Sequence, residues 1–159
     1  MDSHRTTKFH NTLLRELTEE EIIQLMQEST AGSLGTTGAD GPYIVPISFV
    51  FFNRHIYFHC HQDGKKLENI QVDNRVCFQT HISTVDTLNY SSVIITGKAE
   101  RVTDNQEAMV AMVAMRQKAE GLGVEQKPMP KTAAALAQII KVYKIVDYKL
   151  SSKYSAYKN

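Results

Sequence analysis

The chain has 159 residues, 42% of them hydrophobic and 22% charged, which suits one soluble globular domain with room for a sizeable core. Its formal charge of +1 gives no general attraction to nucleic acid or anionic lipid, and no apolar run reaches the roughly 20 residues that cross a bilayer. Two cysteines, Cys60 and Cys77, cannot build a disulfide framework and form no C-x-x-C pair, so both read as small buried hydrophobes on strands. Behind Asp2, His4, Arg5 and Lys8 there is no apolar leader core, and the cytoplasm is the expected compartment.

The first predicted element is a helix from about Thr18 to Ser29. Thr18 and Glu21 form a capping box, Leu17 staples against Ile22, and Ile22, Ile23, Leu25 and Met26 supply a buried face. Ala31 to Thr37 is small and glycine-punctuated, and Gly38-Ala39-Asp40-Gly41 reads as a hairpin turn. One long strand is predicted from Tyr43 to Phe52, open or bulged at Pro46 because proline donates no ladder hydrogen bond. A second turn at Asn53-Arg54 leads to a strand from His55 to His61, then to a short helix over Asp63 to Val72 with Leu67 and Ile70 inward.

Strands follow at Arg75 to Thr80 and Ser92 to Val102, separated by a polar loop. The run Val93-Ile94-Ile95 predicts that both faces of the second are covered. Asp104 and Glu107 repeat the capping-box pattern before a helix to about Lys118, whose stripe of Met109, Met112 and Met115 suits a core or a second subunit. A proline-containing loop, an Ala-rich turn and a last strand from Ile139 to about Tyr148 complete the chain. Consecutive hairpins with helices at the margins predict a mainly β fold with flanking helices, an antiparallel barrel of six strands. It forms one domain with its core at about 18–150 and peripheral terminal segments.

Chemistry concentrates in Phe58-His59-Cys60-His61-Gln62-Asp63-Gly64-Lys65-Lys66. Two lysines in the first turn of a helix oppose its dipole, at a cost of roughly 0.3–1 kcal/mol each. A bound phosphate reverses that sign, because backbone N–H groups and ammoniums then converge on one anion. Two readings stand on spacing alone: a solvated lysine face, or a phosphate grip. His59 and His61 share one strand face and Cys60 takes the other, a pattern open to a metal but lacking an evident third ligand. There is no hydrolytic triad, acid pair, Walker loop or G-x-G-x-x-G fingerprint, so any reaction is expected to be carried by a cofactor.

Five pieces in order resemble one family: Tyr43-Ile44-Val45-Pro46-Ile47-Ser48-Phe49-Val50, Ile56-Tyr57-Phe58-His59, Gly64-Lys65-Lys66-Leu67, Arg75-Val76-Cys77-Phe78, and Tyr90-Ser91-Ser92-Val93 with Gly97. They resemble the pyridoxamine 5′-phosphate oxidase-like flavin-binding split barrels, in the branch of nitroimidazole-resistance (Nim-type) proteins. The resemblance implies a dimeric, antiparallel six-stranded Greek-key split β-barrel with FMN, or FAD, at the subunit interface. It implies that Pro46, Ile47, Ser48 and Phe49 run beside the isoalloxazine ring through backbone groups, and that His59, Cys60 and His61 line the ribityl and phosphate region. Lys65 and Lys66 stand where related oxidases have an Arg-Lys phosphate grip, and Ser92 where they have a glutamine reaching over from the partner subunit.

Three departures accompany these matches: Lys-Lys for Arg-Lys, Cys60-His61 after the family's histidine, and Leu150-Ser151-Ser152-Lys153 where Thr-Gly-Lys is expected. The implied activity is a flavin-dependent oxidoreductase, taking electrons from a transient NAD(P)H and passing them to a small electrophile such as a 5-nitroimidazole. Alternatives are pyridoxamine 5′-phosphate oxidation, which needs a second basic phosphate cluster not evident here, and a non-catalytic protein that holds flavin or haem.

Overall fold

Two strands that the sequence does not announce come first. β1 (Thr7–Phe9) and β2 (Thr12–Arg15) form a hairpin about Asn11, whose positive φ of 63° suits a tight turn. The computed structural model describes residues 7–9 and 11–158; Asp2, His4 and Arg5 lie outside the described residues. Helix α1 (Glu19–Glu28) starts as predicted. Thr18 accepts from the Glu21 N–H while the Glu21 carboxylate accepts from the Thr18 N–H, and Leu25 and Met26 are buried.

β3 (Gly32–Gly38) and β4 (Gly41–Ile47) pair through the expected Gly38–Gly41 turn. Pro46 pairs with Ser33 without a bulge, because β4 ends the described sheet and its missing N–H disturbs no ladder. The interruption falls at Ser48 instead, dividing the predicted long strand into β4 and β5 (Phe49–Phe52). β6 (His55–Cys60) follows a turn in which Asn53 and Arg54 both have positive φ, 46° and 61°.

Helix α2 (Lys65–Val72) buries Leu67 and Ile70, and the buried Asn69 amide donates to the Thr36 hydroxyl at 3.0 Å. Gly38 makes this docking possible, since a Cβ there would lie 2.0 Å from the Asn69 amide oxygen. α2 is therefore held against β3, with its first turn beside the end of β6.

β7 (Arg75–Ser83), β8 (Tyr90–Arg101) and β9 (Lys141–Tyr157) form the central ladder, with α3 (Asn105–Gly121) and α4 (Ala133–Ala137) between the last two. The strand order is β1-β2-β9-β8-β7-β3-β4, all antiparallel, and β6 joins β9 to β5. Taking β4 and β5 as the halves of one interrupted strand, the six expected strands are present. The β1–β2 hairpin extends the sheet. The architecture is a curled, mostly antiparallel split barrel with flanking helices.

One core fills the barrel, built on Leu34, Phe49, Ile56, Phe58, Phe78, Ile95 and Ile145. A second lies under α3 and α4, where Tyr57, Ala111, Met115, Leu136 and Val142 meet. The methionine stripe is spent here, which is one of its two predicted uses. No helix among the described residues is long and apolar enough to cross a membrane.

Four local expectations are corrected. Ile94 is 42% exposed while Val93 and Ile95 are buried, so this strand alternates rather than covering both faces. Cys77 is exposed for the same reason, because Val76 and Phe78 take the core side. The second capping box is half made: Asp104 caps the Gln106 and Glu107 N–H groups, but the Glu107 carboxylate turns to Tyr57 and Lys144, at 2.8 and 3.0 Å. The last strand does not stop near Tyr148. It continues to Tyr157, pairing with β8 and β2, so the C-terminal segment is part of the sheet rather than peripheral to it.

Candidate functional site

Alternation along β6 sets the first half of the site. Phe58 and Cys60 point into the barrel core, leaving His59 and His61 on the other face with their rings 6.4 Å apart. The His59 Nδ1 atom is buried and has no hydrogen-bond partner among the described residues. Burial pushes the His59 imidazole below its usual range, and the nearby Lys66 and His61 act in the same direction. A neutral ring with an unpaired buried nitrogen is poised to bond something that the protein itself does not supply. The Cys60 thiol is pushed up, chiefly by burial, against the opposing pull of Lys66 and Lys141.

The start of α2 completes this region. Gly64, with φ of 123°, stands at the N-cap and offers no side-chain acceptor to the first-turn N–H groups. The two lysines do not converge here. Lys65 turns outward to Asp40, 2.5 Å away on the β3–β4 turn. Lys66 turns back over β6, donating to the His59 carbonyl at 3.1 Å with its ammonium 5.8 Å from the Phe58 ring centroid. Lys66 thus joins the bare helix start to the strand that carries His59.

Ser48, Phe49 and His59 also border a cavity of about 640 Å³, within the range of small-molecule pockets. Its other walls come from the last turns of α3, the loop over residues 122–130, and α4. Phe49 is buried and packs edge-on against Phe78, with ring centroids 4.8 Å apart. Within this cavity lies a residue that the sequence reading passed over. Lys118 donates to the Phe49 carbonyl at 3.1 Å, and its ammonium sits 3.6 Å from the Phe49 ring centroid. Burial pulls Lys118 down to about 8. A lysine in the last turn of a helix is favourable to the dipole and draws no notice. The available signal was its place on the apolar stripe, seven residues after Ala111 and three after Met115, both buried.

The remaining residues of the sequence reading stand apart. Pro46 and Ser92 are on the opposite, outer face of the sheet, where Pro46, Ser33, Gln79 and Ile94 form one cross-strand row. Ile47 is buried in the barrel core and has only its backbone to offer. Ser92 lies nine residues along β8 from Arg101, which pairs with Tyr143, next to the partner of His59. That is on the order of 30 Å of strand, too far for Ser92 to serve the His59 site of its own chain. Among the described residues no three His, Cys, Asp or Glu side chains gather as a metal site.

The family model described as pyridoxamine 5′-phosphate oxidase matches residues 18–153. Among solved structures, a Bacteroides thetaiotaomicron protein described as a candidate 5-nitroimidazole antibiotic resistance protein is 23% identical, with a TM-score of 0.70 over 99% of each chain. An FAD-binding protein from Mesorhizobium loti is 18% identical with a TM-score of 0.67, covering 91% of this chain and 98% of its own. A NimC/NimA family protein from Clostridium acetobutylicum is 11% identical with a TM-score of 0.58, over 86% of this chain and 91% of the other. At these identities the three structures speak for the fold alone. No curated protein matches the sequence.

Proposed function

The chain belongs to the pyridoxamine 5′-phosphate oxidase family, and we propose that it holds a flavin between two copies of itself and acts as an oxidoreductase on a small electrophile. The observation that carries this reading is the sealed, unpaired Nδ1 of His59, joined through Lys66 to a helix start that no side chain caps. An orphaned buried nitrogen, bare N–H groups and two ammoniums suit a phosphorylated ligand with a polar chain, which describes FMN and the FMN half of FAD.

Each residue then has a role. The first-turn N–H groups of α2 and the Lys66 ammonium neutralise the phosphate, and Lys65 joins them by exchanging Asp40 for it. His59 bonds the chain between phosphate and ring. The backbone of Pro46 to Phe49 borders the ring, with the break at Ser48 freeing groups that a continuous ladder would consume.

A flavin held by these residues would supply the redox chemistry that the side chains themselves lack, with a nicotinamide as the proposed electron donor. With a nitro-aromatic acceptor the balance is R–NO2 + NAD(P)H + H+ giving R–NO + NAD(P)+ + H2O. FMN is the favoured form, since the grip described here addresses one phosphate. The dimer is part of the proposal. Ile44 and Ile94 are 72% and 42% exposed, both on the outer face beside Pro46. A partner seated there covers them and brings its own Ser92 to a site that Ser92 cannot reach within one chain.

The absorption spectrum of the purified full chain, mixed with FMN and passed through a desalting column, tests the reading. It predicts retained bands near ~450 nm that bleach on adding NADH or NADPH and recover with a 5-nitroimidazole. A colourless protein after desalting defeats the flavin assignment. Retained flavin that no nicotinamide bleaches defeats the activity and leaves the cofactor standing.

A further inference from the structure

Lys118 is the charged group that the cavity does not account for. Its ammonium is half-buried against the Phe49 ring and the Phe49 carbonyl, with Met112, Met115, Leu136 and Ile140 among the cavity walls. None of the ion pairs among the described residues includes it. A carbonyl dipole and an aromatic face repay only part of the hydration that an ammonium gives up. The missing part is what an anion entering the cavity supplies.

We propose that this cavity is the acceptor pocket of the protein and selects small, flat organic anions, with Lys118 taking the carboxylate and the methionine-lined walls taking the apolar body. The proposal deepens the flavin reading by naming the substrate class of that site, and it rests on that reading only for the reaction, not for the binding. Phe49 links the two halves: its strand borders the proposed ring site, while its ring and carbonyl seat Lys118. An acid anchored at Lys118 would share one cavity with Phe49 and His59.

The other titratable groups around the cavity do not compete for this role. From β6, His59 faces it with an imidazole held toward neutrality. From α3, Arg116 is engaged by Glu120 at 2.8 Å and by the Lys127 carbonyl at 2.8 Å. Glu125 and Lys127 on the loop are exposed, and α4 contributes no charge. Among these groups Lys118 is the half-buried cation outside any ion pair of the described residues. With the amine drawn down to about 8, the charged form dominates at pH 7 and is lost by pH 9.5.

The test uses two probes of nearly equal shape, 4-nitrobenzoate and 4-nitrobenzamide, titrated calorimetrically into the full chain with and without added FMN. The expected result at pH 7 is at least tenfold tighter binding of the benzoate, a preference that collapses at pH 9.5. Lys118→Met is expected to abolish the preference while still binding the benzamide, and Lys118→Arg to retain it. Equal binding of the two probes by the parent protein overturns the proposal, as does a Met variant that keeps the preference. The pH comparison needs no substitution, so a poorly folded variant does not remove the test. Failure of the flavin reading appears separately, as absent flavin absorbance, whatever the two probes do.

Discussion

The first turn of α2 and the last turn of α3 both present lysines, and the two places reverse what helix electrostatics suggests. Lys65 and Lys66 sit where the dipole opposes them, yet one has found Asp40 and the other the His59 carbonyl. Lys118 sits where the dipole favours it, yet it has only a carbonyl and a ring for company in an apolar cavity. A local rule identifies a residue out of place along the chain. It says nothing about which residue the tertiary fold leaves short of a partner. A lysine left short of a partner must be found by geometry, and the two regions are proposed for different ligands: the first turn of α2 for a phosphate, Lys118 for an acid.

The largest expected effect comes from breaking the element that seats Lys118. Phe49→Ala removes a ring that is 1% exposed and packed on Phe78, and should cost about 3–5 kcal/mol in denaturant unfolding. A loss below about 1 kcal/mol would mean that this ring is not part of the barrel core.

Lys118→Met sharpens the contrast with a change of opposite sign. Burial lowers Lys118 to about 8 from its ordinary 10.5, so below pH 8 the folded state carries a destabilising charge, and this penalty fades as pH rises to 10.5. The Met variant should be more stable than the parent by roughly 1 kcal/mol at pH 7, allowing for the partial exposure of the amine, with no advantage left at pH 10.5. Parallel stability curves for the two proteins would contradict the assignment.

Glu21→Ala contrasts a capped helix start with the bare one. It removes both the capping box of α1 and the bidentate pair with Arg15, whose bonds are both 2.7 Å, and should cost about 1 kcal/mol at pH 7. Arg15 and the Thr18 N–H hold the Glu21 carboxyl down to about 2, so this stability is present above about pH 4.5 and is lost as pH falls to 2. Parent and variant should therefore converge near pH 2. Lys65→Ala is the smallest change: its partner Asp40 is exposed, and no shift in Tm is expected, so a clear drop would mean that the pair is structural.

Legibility in the sequence followed how local each cause is. The α1 capping box, the Gly38–Gly41 and Asn53–Arg54 turns, and the inward Leu67 and Ile70 of α2 are each written within a few residues, and all were readable. The β1–β2 hairpin was not, because three- and four-residue strands carry too little alternation to register. The extension of β9 through Leu150-Ser151-Ser152-Lys153 was missed because its polar residues owe their strand to β8, not to their own propensity. Glu107 had the spacing of a capping residue and lost that role to Tyr57 and Lys144, which come from distant strands. In the candidate site, the residue types and spacing from His59 to Lys66 single that segment out in the sequence. The distance between Ser92 and His59 along the sheet emerges only from strand order, and the contact of Lys118 with Phe49 only from the packing of α3 against β5.

Whether the start of α2 holds the phosphate of a flavin decides the proposed cofactor. Affinities of FMN and riboflavin for the parent protein and for the Lys65→Ala/Lys66→Ala double variant, followed by flavin fluorescence, address it most directly. The double variant is expected to bind FMN at least tenfold more weakly, a loss of about 1.4 kcal/mol, while riboflavin binds the parent poorly and loses little more in the variant. Parental FMN affinity in the double variant, or an equal loss for riboflavin, would show that these lysines are a solvated face and overturn the phosphate assignment.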